Sequence, residues 1–327
     1  MIKYGHVLNY VARTPWAMLE SKMQEFLAIL AFRASGQLFT AEEIRAQIGD
    51  EREPMTASKN GAVAVIPLRG IIAHRMGGMN ESSGGASAER FTLMVNQAAS
   101  DESIGHILLD VDSPGGTIPG VMEAADAVWN ARQKKPVTAV ANSMMASAAY
   151  WITSQASEIV AIPSAMDPGI GSIGIFLVHA DLTAALEKEG VKVTIIRAGK
   201  NKAEGNPWEP LSDETLGLLT NAADAAKSQF VKAVARGRGI TPAAVVADYG
   251  DGRAFTAKEA KANGLINRIA TMDEMMARLL GKKSAALRAE ADVPLLALDP
   301  ARANPSVPLG AMTDGDADAD RRRRFRL

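Results

Sequence analysis

Cysteine is absent from the 327 residues, which excludes disulfides, thiolate metal sites and cysteine nucleophiles together. Histidine is scarce: His6, His74, His106 and His179 stand singly and form no metal-ligand spacing. The sequence therefore implies no metal and no cofactor. No sign of charge dominates, since Lys+Arg 36 against Asp+Glu 37 leaves a net charge of -1. That balance offers no electrostatic case for nucleic acid or an anionic membrane. Long apolar runs are missing too. The stretch from Phe26 to Phe32 is too short to span a bilayer, and residues 1–35 lack the charge and cleavage pattern of a secretory signal. These absences predict a chain that stays in the cytoplasm. What is abundant is apolar side chain, 47% of residues, enough for a sizeable buried core.

The N-terminal region, residues 1–60, reads as a helical segment followed by a linker. Trp16, Leu19, Met23, Phe26, Leu27 and Leu30 recur at helical spacing. A second short helix is expected from Thr40 to Ile48, before the polar run Asp50-Glu51-Arg52-Glu53-Pro54. A compact domain over 61–280 follows, opening on the buried-strand run Ala62 to Leu68 and passing through a Gly/Ser loop from Gly77 to Ser87. Strands and helices then alternate as in βα units, predicting an α/β fold with a mostly parallel sheet. Strands are expected at Ile104–Val111, Pro136–Ala141, Glu158–Ile162, Ile170–Val178 and Val191–Ile196. Leu216, Leu219, Ala223, Ala226, Phe230 and Val234 mark a long amphipathic helix. Thr256 and Gly264 bracket a shorter one. Beyond Lys282 the chain is rich in Ala, Asp and Pro and ends on an acidic run followed by an arginine run, a composition that predicts disorder over 281–327.

Candidate chemistry centres on Ala146-Ser147-Ala148, about thirty residues after Asp112-Ser113-Pro114-Gly115-Gly116. A serine where a strand hands over to a helix, downstream of glycines able to offer bare backbone N–H groups, is the pairing that acyl transfer needs. The hydroxyl also needs a base. His179, with Asp181 beside it, is one candidate. Lys200 and Lys202, in the Arg197 to Pro207 loop, are two more, and spacing leaves these lysines even. A lysine can serve only if desolvation lowers its pKa by several units.

The set Asp112 to Gly116, Ala146-Ser147-Ala148, Gly171-Ser172-Ile173-Gly174, Gly199-Lys200-Asn201-Lys202 and Gly252-Arg253 through Gly264-Leu265-Ile266 resembles the signal peptide peptidase A family. Members of that family are serine peptidases with a Ser/Lys dyad on a ClpP/crotonase-like fold of repeated ββα units. Within the family the chain is most similar to phage-encoded capsid maturation proteases, through the Ser83 to Ser87 loop, the Lys202 to Pro207 run and the N-terminal helix in place of a membrane anchor. The resemblance implies Ser147 as nucleophile, Lys202 as general base and Ser172 as the hydroxyl that positions the lysine. It also implies oxyanion donors from the N–H of Ala148 and from the Gly115/Gly116 turn, with Gly116 favoured. Many relatives carry Gly-Gly after the nucleophile, where this chain has Ala148-Ala149. Implied partners are a peptide or protein substrate (capsid, scaffold or portal protein) and further copies of the chain in a homo-oligomer. The implied location is the host cytoplasm or the phage procapsid. Three alternatives share parts of this pattern: a bacterial signal peptide peptidase-like protease, a crotonase-type acyl-CoA enzyme, and an assembly or scaffold protein without catalysis.

Overall fold

The computed structural model describes residues 14–34, 57–76, 85–281 and 293–294. The chain enters through a short strand, β1 (Trp16–Met18), and a helix, α1 (Glu20–Ala34). After β2 (Ser58–Asn60) comes the first long strand, β3 (Val63–Arg69), then β4 (Ile71–Ala73), β5 (Gly85–Ser87) and α2 (Ala88–Ser100). The same sequence of long strand, short strand and helix recurs as β6 (His106–Ser113), β7 (Gly115–Thr117) and α3 (Val121–Arg132). A third long strand, β8 (Val137–Ala146), passes directly into α4 (Ala148–Thr153). This strand-strand-helix repetition makes the chain an α/β protein.

The long strands β3, β6 and β8 are parallel neighbours at the centre of the larger sheet. Their near-continuous apolar runs follow from being covered on both faces. Val63, Ile66, Leu68, Leu108, Leu109, Val111, Val140 and Ala141 are all buried. Helices α2 and α3 lay Phe91, Met94 and Val95, and Val121, Ala124, Ala125 and Val128, into the core. β9 (Glu158–Ala161) extends this sheet beside β8, and β10 (Ile170–Gly171) pairs with the far end of β8. The short strands form a second sheet in the order β1-β7-β4-β5, in which β1 alone runs antiparallel. Long strands thus build the core, while short strands form a ledge at their C-terminal ends, where sites of α/β proteins gather.

The remainder is largely helical: α5 (Thr183–Lys188), the long α6 (Asp213–Arg238) and α7 (Pro242–Asp248), then β11 (Ala254–Phe255), α8 (Ala257–Ala262), β12 (Arg268–Ile269) and α9 (Met272–Leu280). Helix α6 starts at Ser212, whose side chain accepts the Thr215 N–H, and stops at Gly239 in the left-handed conformation, φ 69°. Capping boxes Thr256/Glu259 and Thr271/Glu274 fix the starts of α8 and α9. A last strand, β13 (Val293–Pro294), pairs with β2. No helix among the described residues is long and apolar enough to cross a membrane.

Three expectations need correction. Trp16 and Met18 belong to a strand rather than a helix, because β7 offers them a backbone ladder; the helix begins only at Glu20. The expected strand at Ile170–Val178 is reduced to Ile170–Gly171. Val191–Ile196 is extended in sequence pattern but forms no strand, because no neighbouring strand supplies its hydrogen bonds; Val191, Val193 and Ile196 are exposed. The expected helix Thr40–Ile48, loop residues 77–84 and the tail, apart from Val293–Pro294, lie outside the described residues.

Candidate active site

Strand β8 and helix α4 meet at a single residue, Ser147, with φ 53° and ψ -117°. That is a sparsely populated conformation for a side chain with a Cβ, costing on the order of 1–3 kcal/mol, so the surroundings must hold it in place. They do so from both sides. The Ser147 N–H donates to Gly171 O at 2.7 Å, continuing the pairing of β8 with β10, while Ser147 O accepts the Trp151 N–H at 2.8 Å and opens the helix. The side chain takes no part in capping α4. Its Oγ is buried and has no hydrogen-bond partner, unusual for a polar atom in a protein interior.

Glycines line the space beside that hydroxyl. Gly115 has φ 97°, and a Cβ placed there would overlap the Ala17 carbonyl oxygen while lying 2.9 Å from Ala148 N and 3.0 Å from Ser147 Cβ. Only a residue without a side chain fits between these three groups. A Cβ at Gly116 would overlap the backbone of Ile72 in β4. Ser113, which ends β6, organises the turn: its hydroxyl donates to Gly70 O at 2.6 Å and accepts the Gly115 N–H at 3.2 Å. The Gly115 amide is thereby occupied. Gly116 remains as the glycine whose N–H can address a carbonyl on the β1 side. The Ala148 N–H, at the first position of α4, belongs to the first turn, where amides have no partner within the helix.

An ionic pin with a buried carboxylate and a half-exposed guanidinium supports the corner from below. Between Val111/Ala141 and Ser113/Met145 the register of β6 and β8 shifts, and Ser143 within the shift has φ 119°. Asp110, buried in β6, accepts from Asn142 Nδ2 at 3.0 Å and pairs with Arg69 at the end of β3. The irregularity that carries β8 toward Ser147 is thus tied to β6 and, through Asp110, to β3. From the other side, the Trp151 ring stacks on Phe230 of α6 with centroids 4.6 Å apart.

Ser172 follows Gly171, the β10 partner of Ala146, so the two serines leave adjacent parallel strands at matching positions. Both have φ 53°. Ser172 is buried, and its N–H donates to Arg253 O at 2.9 Å. The lysine loop is arranged differently. Lys202 is exposed, its N–H donates to Gly199 O at 3.0 Å, and its ammonium makes no hydrogen bond to Ser147 Oγ. Lys200 is also exposed and lies 3.7 Å from Glu214. The loop is organised by Asn206, a buried residue whose side chain donates to Ala203 O at 2.8 Å and to Glu209 at 3.0 Å and accepts the Trp208 N–H at 2.8 Å. Neither the Asn206 anchor nor the Ser113 bridge is among the sequence expectations; a short polar side chain beside Gly or Pro was the available signal in both.

The histidine candidate is placed elsewhere. His179 Nε2 lies 3.2 Å from Asn206 O, and Asp181 accepts from Thr183 Oγ1 at 2.6 Å and Thr183 N at 2.9 Å. Those bonds from Thr183, side chain first, hold the Asp181 carboxyl below its usual range. Asp181 serves the start of α5 and not a histidine dyad. Among the described residues no group of three or more His, Asp or Glu is arranged to hold a metal ion.

The fold and this corner define an α/β protein that presents a buried, unpartnered serine hydroxyl beneath a glycine strand. Residues 130–286, a span that includes Ser147, Ser172 and Lys202, match the model of peptidase family S49, and the chain carries a domain of that family. It is 35% identical over 222 residues to capsid assembly protease C of Escherichia phage lambda, covering 66% of this chain and 50% of that protein. It is 34% identical over 214 residues to head-tail preconnector protein GP5 of Enterobacteria phage P21, covering 65% and 42%. The chain thus spans half or less of the length of these two relatives. Among solved structures, a ClpP1 mutant from Listeria monocytogenes aligns at 16% identity with TM-score 0.39, covering 64% of this chain and 92% of that one.

Proposed function

We propose that the chain is a serine endopeptidase, with Ser147 as nucleophile and Lys202 as general base, that processes capsid, scaffold or portal proteins during phage head maturation. The observation that carries this reading is the buried Ser147 Oγ, free of hydrogen bonds, on a corner held at φ 53° between the Gly116 strand and the first turn of α4. A hydroxyl recruited for packing or capping would have found a partner there. Family membership and the two phage relatives supply the substrate class.

Ser147 Oγ attacks the substrate carbonyl as neutral Lys202 takes its proton. The Gly116 and Ala148 amides receive the developing oxyanion, each such donor contributing about 10²–10³ in rate. Lys202 returns the proton to the leaving amine, and water then cleaves the acyl-enzyme. A lysine does this only when desolvated, so Lys202, exposed in the single chain, has to be covered by substrate or by another copy before it acts. Ser172, leaving β10 beside Ser147, is the hydroxyl set to receive the lysine. The working form is a homo-oligomer in the host cytoplasm or procapsid, with the catalytic domain over residues 61–280. Replacement by Ser147→Ala or by Lys202→Ala abolishes cleavage of procapsid proteins while circular dichroism stays unchanged; full activity in either variant rejects the dyad.

A further inference from the structure

Beside Ser147 lies an extended peptide that belongs to the chain itself. Strand β1 runs antiparallel along β7 with Trp16 opposite Thr117, Ala17 opposite Gly116 and Met18 opposite Gly115. On its other edge Trp16 N donates to Phe176 O at 2.9 Å and Phe176 N donates to Trp16 O at 3.1 Å. The segment is therefore gripped by backbone on both sides, the way an added strand binds in β-augmentation.

The register decides which atoms face the serine. Hydrogen-bonded and non-hydrogen-bonded pairs alternate along an antiparallel ladder. Leu19 N donates to Pro114 O at 2.8 Å, so the pair two residues along, Ala17 and Gly116, is hydrogen-bonded as well, and the Gly116 N–H points at the Ala17 carbonyl. That carbonyl oxygen is 2.2 Å from where a Gly115 Cβ would stand, a point that is itself 2.9 Å from Ala148 N and 3.0 Å from Ser147 Cβ. One carbonyl of the chain's own N-terminal segment thus faces the Gly116 amide and shares a narrow space with the Ala148 amide and the candidate nucleophile. Its side chain is a methyl, fully buried, while Trp16 and Met18 pack with Met23, Leu27, Ile71 and Phe176.

We propose that the Ala17–Met18 peptide bond is a substrate of Ser147 in the same chain, so that the protein cleaves its own N-terminal segment. The proposal rests on the serine-peptidase reading. Ser147 Oγ bonds to the Ala17 carbonyl carbon, and its proton passes through Lys202 to the Met18 nitrogen. The C–N bond breaks, leaving Ala17 as an ester on Ser147 and a new amino terminus at Met18. Water hydrolyses the ester to the Ala17 carboxylate and restores the hydroxyl. Because β1 fills the strand position beside Gly116, other chains gain that position only after β1 leaves.

Purified full-length chain, incubated alone and followed by intact mass and N-terminal sequencing, tests this. The expected result is a species beginning at Met18, absent from Ser147→Ala and formed, once the homo-oligomer is fully assembled, with a half-time independent of protein concentration. Ala17→Leu slows its formation by about tenfold or more, since the buried methyl position has no room for the larger side chain. The proposal is overturned if Ala17 and Met18 stay joined while the same preparation cuts added unfolded casein. It is equally overturned if the Met18 terminus appears in Ser147→Ala, or if its half-time still shortens with protein concentration after the homo-oligomer is fully assembled. If neither the chain nor casein is cut and a fluorophosphonate leaves Ser147 unlabelled, the serine-peptidase reading itself fails and takes the proposal with it.

Discussion

Gly115 faces Ser147 so closely that a Cβ on the glycine would lie 3.0 Å from the Cβ of the serine. Gly115→Ala adds that atom at a residue with φ 97°, in overlap with the Ala17 carbonyl oxygen. The backbone strain alone is of order 1–3 kcal/mol, and displacement of the strand misaligns the neighbouring Gly116 amide. The expected outcome is a lowered melting temperature together with a loss of about 100-fold or more in peptide cleavage, the scale of losing one oxyanion donor.

Ser113 tests whether the glycine strand is held from behind. Its hydroxyl joins Gly70 O to the Gly115 N–H, and Ser113→Ala leaves the buried Gly115 N–H and the part-buried Gly70 O short of a partner. A destabilisation of about 1–3 kcal/mol follows, measurable by urea denaturation. Since the bridge positions the strand without touching substrate, the turnover number falls more than KM rises. Equal effects on both would contradict a positioning role.

Behind the serine, the stack of Trp151 on Phe230 joins α4 to the long helix α6. Phe230→Ala opens a cavity under the helix that begins at Ser147, at a cost of about 3–5 kcal/mol. Phe230→Leu refills most of the volume and should recover most of that stability. Thermal unfolding of the two variants provides the comparison.

A pH effect is expected far from the serine. His106 Nε2 lies 2.9 Å from Thr138 Oγ1 between β6 and β8. Burial first, and the nearby Arg278 second, lower its pKa, with Glu158 opposing them. A histidine with a depressed folded pKa binds fewer protons folded than unfolded, so its contribution is complete above about pH 6.5 and is lost as pH falls through the folded value. Glu158 is also depressed, burial being outweighed by hydrogen bonds from Arg278 and Arg268, so its loss comes in the lower carboxylate range. Stability curves should therefore fall in two steps on acidification, and His106→Gln should remove the upper one. A single step in both proteins would contradict this assignment.

The elements legible in the sequence were those whose pattern is local. Long buried strands and the apolar stripe along α6 emerge from periodicity alone, and the corner at Ser147 from a serine among small residues between a strand and a helix. Only the start of the Trp16 to Leu30 stripe was misread: the helix stands from Glu20 on, while the partner that makes Trp16–Met18 a strand lies about a hundred residues away in β7. Val191–Ile196 failed in the opposite sense: its residues favour a strand, yet a strand exists only where a neighbour offers hydrogen bonds. Lys202 shows the limit for the site. Sequence resemblance names it, but burial decides whether a lysine can be a base, and burial belongs to packing and assembly.

The central claim is that Ser147 is an activated nucleophile, and labelling with a fluorophosphonate followed by peptide mass spectrometry measures that directly. The account predicts one adduct, on Ser147, absent from Ser147→Ala and formed far more slowly in Lys202→Ala. An unlabelled Ser147, or an adduct only on another serine, would contradict it.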